Sequence, residues 1–314
     1  MYVVSTLGPI VLLIALGAFL RRGGFAEEAF FRQTNRLVYW VALPCLLFAK
    51  TAVMTPDLET AFEAFVVMVC ATVAALLAAF PAGAALGLRP VSQSAFVQTS
   101  FRGNLAYVGL PVVLFALAGA EKGGVTAQDE SIAVLAMAPL IPLYNIVAIW
   151  VLLRGADQQR GKSRGLGHVF VQMGANPILI GVVAGLLYAL TGLPLPRLAE
   201  RTLSALGQLA LPLALLGFGA SLSFSALRGH LRATLVGTAI KIGLCPLAGL
   251  AAARLLGVSG TQLLVALLFL ACPTATASYV MAERLEGDAP LTAAVIVLST
   301  VLSIPVLALI LAAN

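Results

Sequence analysis

Long apolar stretches with no Asp, Glu, Lys or Arg recur along the whole chain and restrict its possible folds more than any other feature. A helix needs about 20 apolar residues to cross a bilayer. Ten stretches are candidates, two of which are interrupted by a single charge, Arg102 or Lys241. The ten cover residues 1–20, 37–49, 64–88, 90–120, 131–153, 165–196, 202–227, 233–253, 255–282 and 289–314. The sequence therefore predicts an all-α integral membrane protein with ten transmembrane helices, of which the second is the shortest.

The composition agrees with this prediction and excludes several classes of protein. Hydrophobic residues make up 61% of the 314 residues and charged residues only 10%, whereas a soluble domain has about 25% charged residues. A soluble enzyme, a secreted disulfide-rich domain and a disordered chain are therefore excluded. The four cysteines lie in apolar stretches, without the spacing of metal ligands. We accordingly predict no metal, no cofactor and no catalytic cluster, and no nucleic-acid partner.

The distribution of basic residues predicts the orientation in the membrane. If the loops between the ten helices are numbered in order, the odd-numbered loops contain 12 Lys and Arg and the even-numbered loops contain 5. Loops rich in Lys and Arg stay in the cytoplasm. The net charge of +6 thus reflects cytoplasmic loops. We expect a multi-pass protein of the cell's inner (plasma) membrane, with both termini outside.

An internal repeat is visible at a constant shift of 168 residues. Its matches are Pro9 with Pro177, Gly17 with Gly185, Gly24 with Gly192, Ala42-Leu43-Pro44 with Ala210-Leu211-Pro212, and Phe101 with Phe269. Prolines, glycines and a tripeptide in register across separate helices indicate a duplication more strongly than matches between common apolar residues do. We therefore divide the chain into a first repeat at residues 1–153, a basic cytoplasmic linker at 154–167 and a second repeat at 168–314.

Each repeat contains five predicted helices, and an odd number forces the second copy to insert upside down relative to the first. Such inverted repeats are typical of secondary transporters, which bind substrate near the middle of the bilayer where the repeats meet. The alternative is a duplication that serves only helix packing. We favour the transporter interpretation because the sequence also contains two broken helices.

The fourth helix of the first repeat has the sequence of a broken helix. Its apolar stretch is interrupted by Arg102, Gly103, Asn104, Gly109 and Pro111. Arg102 lies about 12 residues from the cytoplasmic loop, or roughly 18 Å at 1.5 Å per residue, which is close to the middle of the bilayer. A kink stabilised by neighbouring groups is the simpler alternative, but an arginine at this depth favours a binding site.

The fourth helix of the second repeat is interrupted at the matching position, by Pro273, Thr274, Thr276 and Ser278. Pro273 removes a helical hydrogen bond, and the three hydroxyls follow at alternate positions. Half-helices that begin near Asn104 and Thr274 would direct the positive ends of their dipoles at a common centre. This arrangement favours an anion, to which the asparagine amide, the hydroxyls and the Arg102 guanidinium would donate hydrogen bonds.

Three further side chains are candidates for the same site. Lys241, roughly 13 Å into the eighth helix, is a candidate for a charge role, although its side chain could also reach the interface. Tyr107 lies beside the first break, and Asn145 lies in the fifth helix, where a helix–helix hydrogen bond is the alternative. No Asp or Glu lies in the middle of a predicted helix. Because a cation transporter is expected to keep one there, its absence favours an anion.

The order of these motifs resembles a known family. Arg102-Gly103-Asn104 followed by Gly109-Leu110-Pro111 is similar to the fourth-helix motif of the auxin efflux carrier family. The same family is resembled by Leu43-Pro44-Cys45 in the second helix, Asn176-Pro177-Ile178 in the sixth, and Pro273 through Glu283 and Leu298 through Ser303 at the end. The likeness covers nearly the whole chain. Because the long central loop of the plant members is absent, the chain resembles a bacterial-type member.

The resemblance implies a fold like those of sodium/proton antiporters and bile-acid symporters, with two crossed broken helices. It implies that Asn104 is the crossover asparagine and Pro273 the crossing proline of the second copy. It also implies a scaffold of helices 1, 2, 6 and 7, through which a homodimer forms. A mobile core of helices 3–5 and 8–10 would carry the substrate by an elevator movement. For bacterial-type members, dicarboxylates such as malate or malonate are the expected substrates.

The sequence thus predicts a secondary transporter of a small organic anion, either an auxin-like carboxylate or a dicarboxylate, and not an enzyme. Besides the anion, the predicted partners are membrane lipids and a second copy of the chain. Two alternatives remain. One is a sodium-coupled symporter of the bile-acid type, and the other is a membrane sensor that binds an anion without moving it.

Overall fold

The computed structural model describes residues 2–53, 58–119, 127–160, 177–222 and 230–313. These residues are helical with short connections and contain no β-strand, so the prediction of an all-α protein is confirmed. The helices are α1 (Tyr2–Arg22), α2 (Glu28–Leu37), α3 (Leu43–Ala52), α4 (Leu58–Ala85), α5 (Pro90–Phe101), α6 (Leu110–Gly119), α7 (Ala127–Arg160), α8 (Pro177–Ala189), α9 (Arg197–Gln208), α10 (Ala210–Ser221), α11 (Leu231–Ala239), α12 (Cys245–Leu256), α13 (Gly260–Ala271), α14 (Ala277–Arg284) and α15 (Ala289–Ala313). Asn176 of the predicted repeat, and residues 161–167 of the predicted linker, lie outside the described residues.

Within the described part of the chain, five helical segments are long and apolar enough to cross a membrane. They are Glu59–Ala85, Asp129–Gln158, Arg197–Ser221, Leu231–Leu256 and Ala289–Ala313. Shorter apolar helices cover Leu105–Ala118, Ile180–Ala189 and Gly260–Ala271. These helices agree with a multi-pass membrane protein, whereas the full number of ten spans stays a prediction.

The second predicted span, residues 37–49, is part of a longer helical segment. Helix α2 precedes it, and its basic side chains Arg32 and Arg36 are exposed while Phe31 is buried. The helix therefore has one apolar face and one charged face. A search for stretches without charge misses such an amphipathic turn, which is why the observed segment begins at Glu28 rather than at residue 37.

Among the described residues, three helical segments contain one turn of π-helix, and each such turn is followed by a proline. The turns are Val38–Ala42 before Pro44, Leu105–Gly109 before Pro111, and Ile240–Leu244 before Pro246. Proline has no N–H group, and its ring clashes with the carbonyl four residues earlier. The helix avoids the clash by widening. The N–H of the residue before the proline then donates to the carbonyl five residues earlier, as Leu43 does to Val38 and Cys245 does to Ile240. Wide turns of this kind are frequent at functional sites.

The chain divides into two compact units. The first consists of Met1–Ala64, Ala106–Pro139 and Ala175–Leu222, and the second of Phe65–Leu105, Leu140–Gly174 and Ser223–Asn314. Each unit therefore contains segments of both predicted repeats. Helices α4 and α7 each contribute one part to each unit.

In the first unit, glycines allow two pairs of helices to pack backbone against backbone. A Cβ atom on Gly17 of α1 would lie within 3.0 Å of the backbone of Leu216 in α10, and one on Gly185 of α8 would lie 2.9 Å from the Phe48 carbonyl oxygen in α3. The second contact is the first one shifted by 168 residues with the partners exchanged. Another pair of contacts is related in the same way: Gly219 with Ile14, and Thr51 with Val182. Small residues at helix interfaces are the usual means of close packing in membranes.

In the second unit, the two short helices α5 and α13 are buried on nearly all sides. Every residue from Ser94 to Phe101 in α5 is buried, and so is every residue from Val265 to Ala271 in α13. A helix that ends inside a membrane leaves backbone groups without partners unless other protein groups supply them. The ends of α5 and α13, both enclosed by protein, are therefore the places where an irregular backbone can be accommodated.

Candidate functional site

The two broken helices cross at their interruptions, inside the second unit. Helix α5 ends at Phe101 and α13 ends at Ala271, and an extended segment follows each of them. The two segments run antiparallel, with Gly103 opposite Thr274. The Asn104 N–H donates to the Pro273 carbonyl at 2.8 Å, and the Ala275 N–H donates to the Arg102 carbonyl at 3.0 Å. The structure thus brings the interruptions of both repeats together.

Thr274 holds the crossing in place. Its N–H donates to the hydroxyl of Ser299 in α15 at 3.1 Å, and its own hydroxyl donates to the Thr99 carbonyl near the end of α5 at 2.8 Å. The second bond supplies a partner for one of the last carbonyls of α5, which have none within the helix. Thr274 is fully buried. It is therefore a structural residue of the crossing, and its hydroxyl is already used as a donor.

The second half-helix begins three residues later than the sequence indicates. The predicted start near Thr274 is wrong, because Thr274 is held in the antiparallel bridge and α14 begins at Ala277. Within its first turn, the N–H groups of Ser278 and Tyr279 donate to the carbonyls of Ala275 and Thr276. Two of the donors that were expected to face a ligand are therefore used inside the helix. The first half-helix begins at Leu105, next to Asn104 as predicted.

Arg102 lies at the crossing with only 6% of its surface exposed. One guanidinium nitrogen, Nη2, donates to Oδ1 of Asn145 at 2.5 Å, and the other, Nη1, donates to the sulfur of Met281 at 2.6 Å. Both acceptors are uncharged side chains, and the two bonds fix the direction of the guanidinium. The structure therefore brings Arg102 and Asn145 together, two of the predicted site residues.

Lys241 also reaches the crossing. The side chain is fully buried, and its Nζ donates to the Leu270 carbonyl in the last turn of α13 at 2.6 Å. A Cβ atom on Gly103 would lie 3.4 Å from this same Nζ. Carbonyl groups at the end of a helix carry partial negative charge, which a cation stabilises. The lysine thus does not extend to the membrane interface; it places an amine beside Gly103.

Three other residues of the second unit complete the predicted set. Asn104 is buried, Thr276 is half-buried and Ser278 is fully buried. The carbonyl of Ser278 accepts a hydrogen bond from Nε2 of Gln98 at 2.9 Å. Ser278 is thereby attached to α5, one helical turn before Arg102.

Tyr107, Gly109 and Pro111 belong to the first unit. The Tyr107 hydroxyl donates there to the Asn35 carbonyl at 3.3 Å. Pro111 is the proline that follows the π-turn Leu105–Gly109. These residues shape the start of the half-helix, and the structure does not place them among the side chains of the crossing itself.

Sequence reasoning missed the residues that support the site. Gln98, Met281 and Ser299 each bond to a residue of the crossing or of α14. Gln98 could have been found, since it precedes Arg102 by four residues and lies on the same helical face. Met281 and Ser299 lie in the two stretches at the end of the chain that resemble the family, but their bonds could not be predicted because the partners come from other segments.

Comparison with known proteins identifies the family of the chain. A family model described as "membrane transport protein" matches residues 2–311. An uncharacterized transporter of Methanocaldococcus jannaschii is 23% identical over 306 residues, which cover 96% of this chain and 95% of the relative. The matched family is that of the auxin efflux carriers, so the resemblance noted in the sequence is confirmed. With a family model that spans nearly its whole length, the chain belongs to this membrane transport protein family and is a membrane transporter.

Proposed function

We propose that the protein is a secondary transporter of a small organic anion, with a carboxylate bound at the crossing beside Arg102. The observation that carries this proposal is the buried guanidinium, oriented by the uncharged side chains of Asn145 and Met281. A charge inside a membrane protein is costly and is usually retained for function. A guanidinium matches the two oxygens of a carboxylate in a way that a single donor does not. The charge and shape of this group therefore support a carboxylate as the substrate.

The second buried cation supports an anion in preference to a sodium-coupled mechanism. Lys241 already donates to the carbonyl end of α13, where the partial negative charge would attract a metal cation. The buried Arg102 guanidinium adds a second positive charge at the same crossing. We therefore favour a transporter without a sodium site over a symporter of the bile-acid type.

An elevator-type, alternating-access mechanism fits the arrangement of the chain. All residues of the crossing lie in the second unit. The first unit contains the regions of predicted helices 1 and 2 and most of helices 6 and 7, in residues 1–64 and 175–222, together with residues 106–139 from predicted helices 4 and 5. The exchanged contacts of the first unit agree with an inverted repeat. In this proposal predicted helices 3–5 and 8–10 carry the anion, while predicted helices 1, 2, 6 and 7 form the scaffold and the homodimer contact in the lipid.

Counterflow in proteoliposomes tests the proposal and separates it from the sensor alternative. The purified protein is reconstituted with unlabelled malate, malonate or indole-3-acetate inside, and uptake of the same labelled carboxylate is measured. We expect transient accumulation for at least one of these anions. Binding of a carboxylate without any flux would identify a sensor, and the absence of both would contradict the assignment of an anion substrate.

A further inference from the structure

A row of buried polar groups runs along the face of α11 that packs into the second unit. Thr234, Thr238 and Lys241 follow each other at spacings of four and three residues, so they lie on one face of the helical segment. At about 1.5 Å per residue the row is roughly 10 Å long. Thr234 and Lys241 are 0% exposed and Thr238 is 1% exposed. A polar face this deep is unusual, because this surface packs against other helices of an apolar protein.

The two threonine hydroxyls in this row are not used by the protein. Among the residues that the structure describes, neither Oγ1 has a hydrogen-bond partner. Other buried threonines of the same unit donate to the carbonyl four residues earlier, as Thr72 does to Met68 and Thr99 does to Ala95. A helical threonine can thus satisfy itself, and Thr234 and Thr238 do not. A buried hydroxyl without a partner is costly, and groups of this kind are the ones that ordered water binds.

A further polar group lies between the two threonines. Gly237 packs there against the ring of Phe96, because a Cβ atom on it would lie 3.2 Å from that ring, and it would lie 3.5 Å from the hydroxyl of Ser100 in α5, which donates to the Phe96 carbonyl. At the end of the row, the Lys241 ammonium has three N–H donors, and the Leu270 carbonyl is the one hydrogen-bond acceptor identified for it among the described residues. The row therefore offers the hydroxyls of Thr234 and Thr238 and the N–H groups of Lys241 to small polar molecules.

We propose that this hydroxyl row, formed by Thr234, Thr238, Ser100 and Lys241, binds a file of water molecules that connects Lys241 with the end of α11 at Leu231. Along this file Lys241 exchanges protons: the ammonium gives one proton to water, which becomes hydronium, and the neutral amine later takes one back. The proton is then a second transported species alongside the organic anion. The transport of a proton together with the anion rests on the proposed function, while the water file itself does not.

The surroundings of Lys241 leave it as the group that carries this proton. Cys245, one turn further along the same helix, and Cys272, after α13, are the ionisable side chains that face it. Helices α5, α13 and α15, which pack against this segment, contain no Asp, Glu, His, Lys, Arg, Cys or Tyr. A proton that reaches the end of the row therefore meets the lysine.

Cysteine labelling in lipid nanodiscs tests the water file without any substrate. Thr234→Cys and Thr238→Cys are treated with a charged methanethiosulfonate reagent, and peptide mass spectrometry locates the label. The matched controls are Leu235→Cys and Ala239→Cys, which lie one residue further along the same helix on its exposed face. Because the reagent attacks the thiolate in water, we expect the row positions to react at least ten times faster than the controls. Equal, slow labelling at all four positions would overturn the proposal.

Proton movement in proteoliposomes tests whether Lys241 carries a proton during transport. With a pH-sensitive dye inside, an imposed gradient of the transported carboxylate should change the internal pH, and the Thr234→Val/Thr238→Val double variant should slow this change at least five-fold. Circular dichroism confirms that the variant is folded. Carboxylate counterflow without any proton movement in the unchanged protein would refute the proton-carrying role while leaving the anion assignment intact. Loss of carboxylate flux in every preparation would count instead against the proposed function, and labelling would still decide on the water file.

Discussion

At the scale of single residues, the two buried cations Arg102 and Lys241 carry most of the functional argument. Both are visible in the sequence as the only charges inside long apolar stretches, so their depth could be predicted from the hydropathy of the chain. Of their partners, Asn145 could be predicted as a candidate for the same site. Met281 and Leu270 could not, because they come from other helices. Whether a long basic side chain turns toward the interface or inward depends on tertiary packing, which a local pattern does not contain.

The first prediction concerns the hydroxyl that holds the crossing together. Thr274→Val keeps the shape of the side chain but removes the donor to the Thr99 carbonyl. That carbonyl is then left buried without this partner, and we expect the free energy of unfolding to fall by about 1–3 kcal/mol. Thermal unfolding in detergent measures the loss. Thr202→Val on the exposed face of α9 removes a similar bond to Leu198 and should change little. Equal melting temperatures for both variants would show that Thr274 does not hold the crossing.

At the scale of helices, the sequence predicts the positions of the two interruptions more accurately than the residues at which the following half-helices begin. Proline and glycine mark the interruptions because their backbones cannot continue a regular helix. The start of α14 at Ala277 depends instead on the antiparallel bridge between Gly103 and Thr274. That bridge joins residues far apart in the chain. The π-turns before Pro44, Pro111 and Pro246 have a local cause, but the prolines alone could not have indicated them, because Pro9, Pro81 and Pro305 lie inside α-helices without such a turn.

A second prediction tests the close packing of α1 against α10. A side chain at Gly17 would meet the backbone of Leu216 at less than 3.0 Å, and backbone atoms cannot move aside as a flexible side chain can. We expect Gly17→Val to lower the free energy of unfolding by about 1–3 kcal/mol. The matched control is Gly8→Val in the same helix, where a Cβ would meet nothing within 4 Å. Thermal unfolding compares the two. A Gly8 variant as unstable as the Gly17 variant would attribute the loss to the substitution itself and not to the helix contact.

At the scale of the whole molecule, the sequence divides the chain at its repeat, whereas the compact units interleave segments of both repeats. The two divisions differ because a repeat reflects how the sequence was duplicated, whereas a compact unit reflects which helices pack together. The shift of 168 residues reappears in the structure as exchanged contacts, such as Gly17 with Leu216 and Gly185 with Phe48. The grouping of the helices could not be obtained from hydropathy, because a bilayer-spanning stretch carries no information on its neighbours.

A third prediction follows from the position of Lys241 at the carbonyl end of α13. If the amine takes the place that a sodium ion would otherwise occupy, carboxylate counterflow should be unchanged when choline replaces sodium on both sides of the membrane. The initial rates should agree within about two-fold. A tenfold or larger loss in choline would instead support the sodium-coupled alternative.

The most direct test of the central claim is the affinity of a carboxylate for the protein with and without the Arg102 charge. Isothermal titration uses whichever of malate, malonate and indole-3-acetate binds the unchanged protein most tightly, and compares it with Arg102→Gln and with Arg254→Gln. Arg254 is an exposed arginine near the end of α12. A hydrogen bond to a charged group contributes about 1.5–3 kcal/mol. We therefore expect the Kd of the folded Arg102 variant to rise by roughly ten- to a hundredfold, while the Arg254 variant binds normally. Unchanged affinity in a folded Arg102→Gln protein would contradict the assignment of the anion to the crossing.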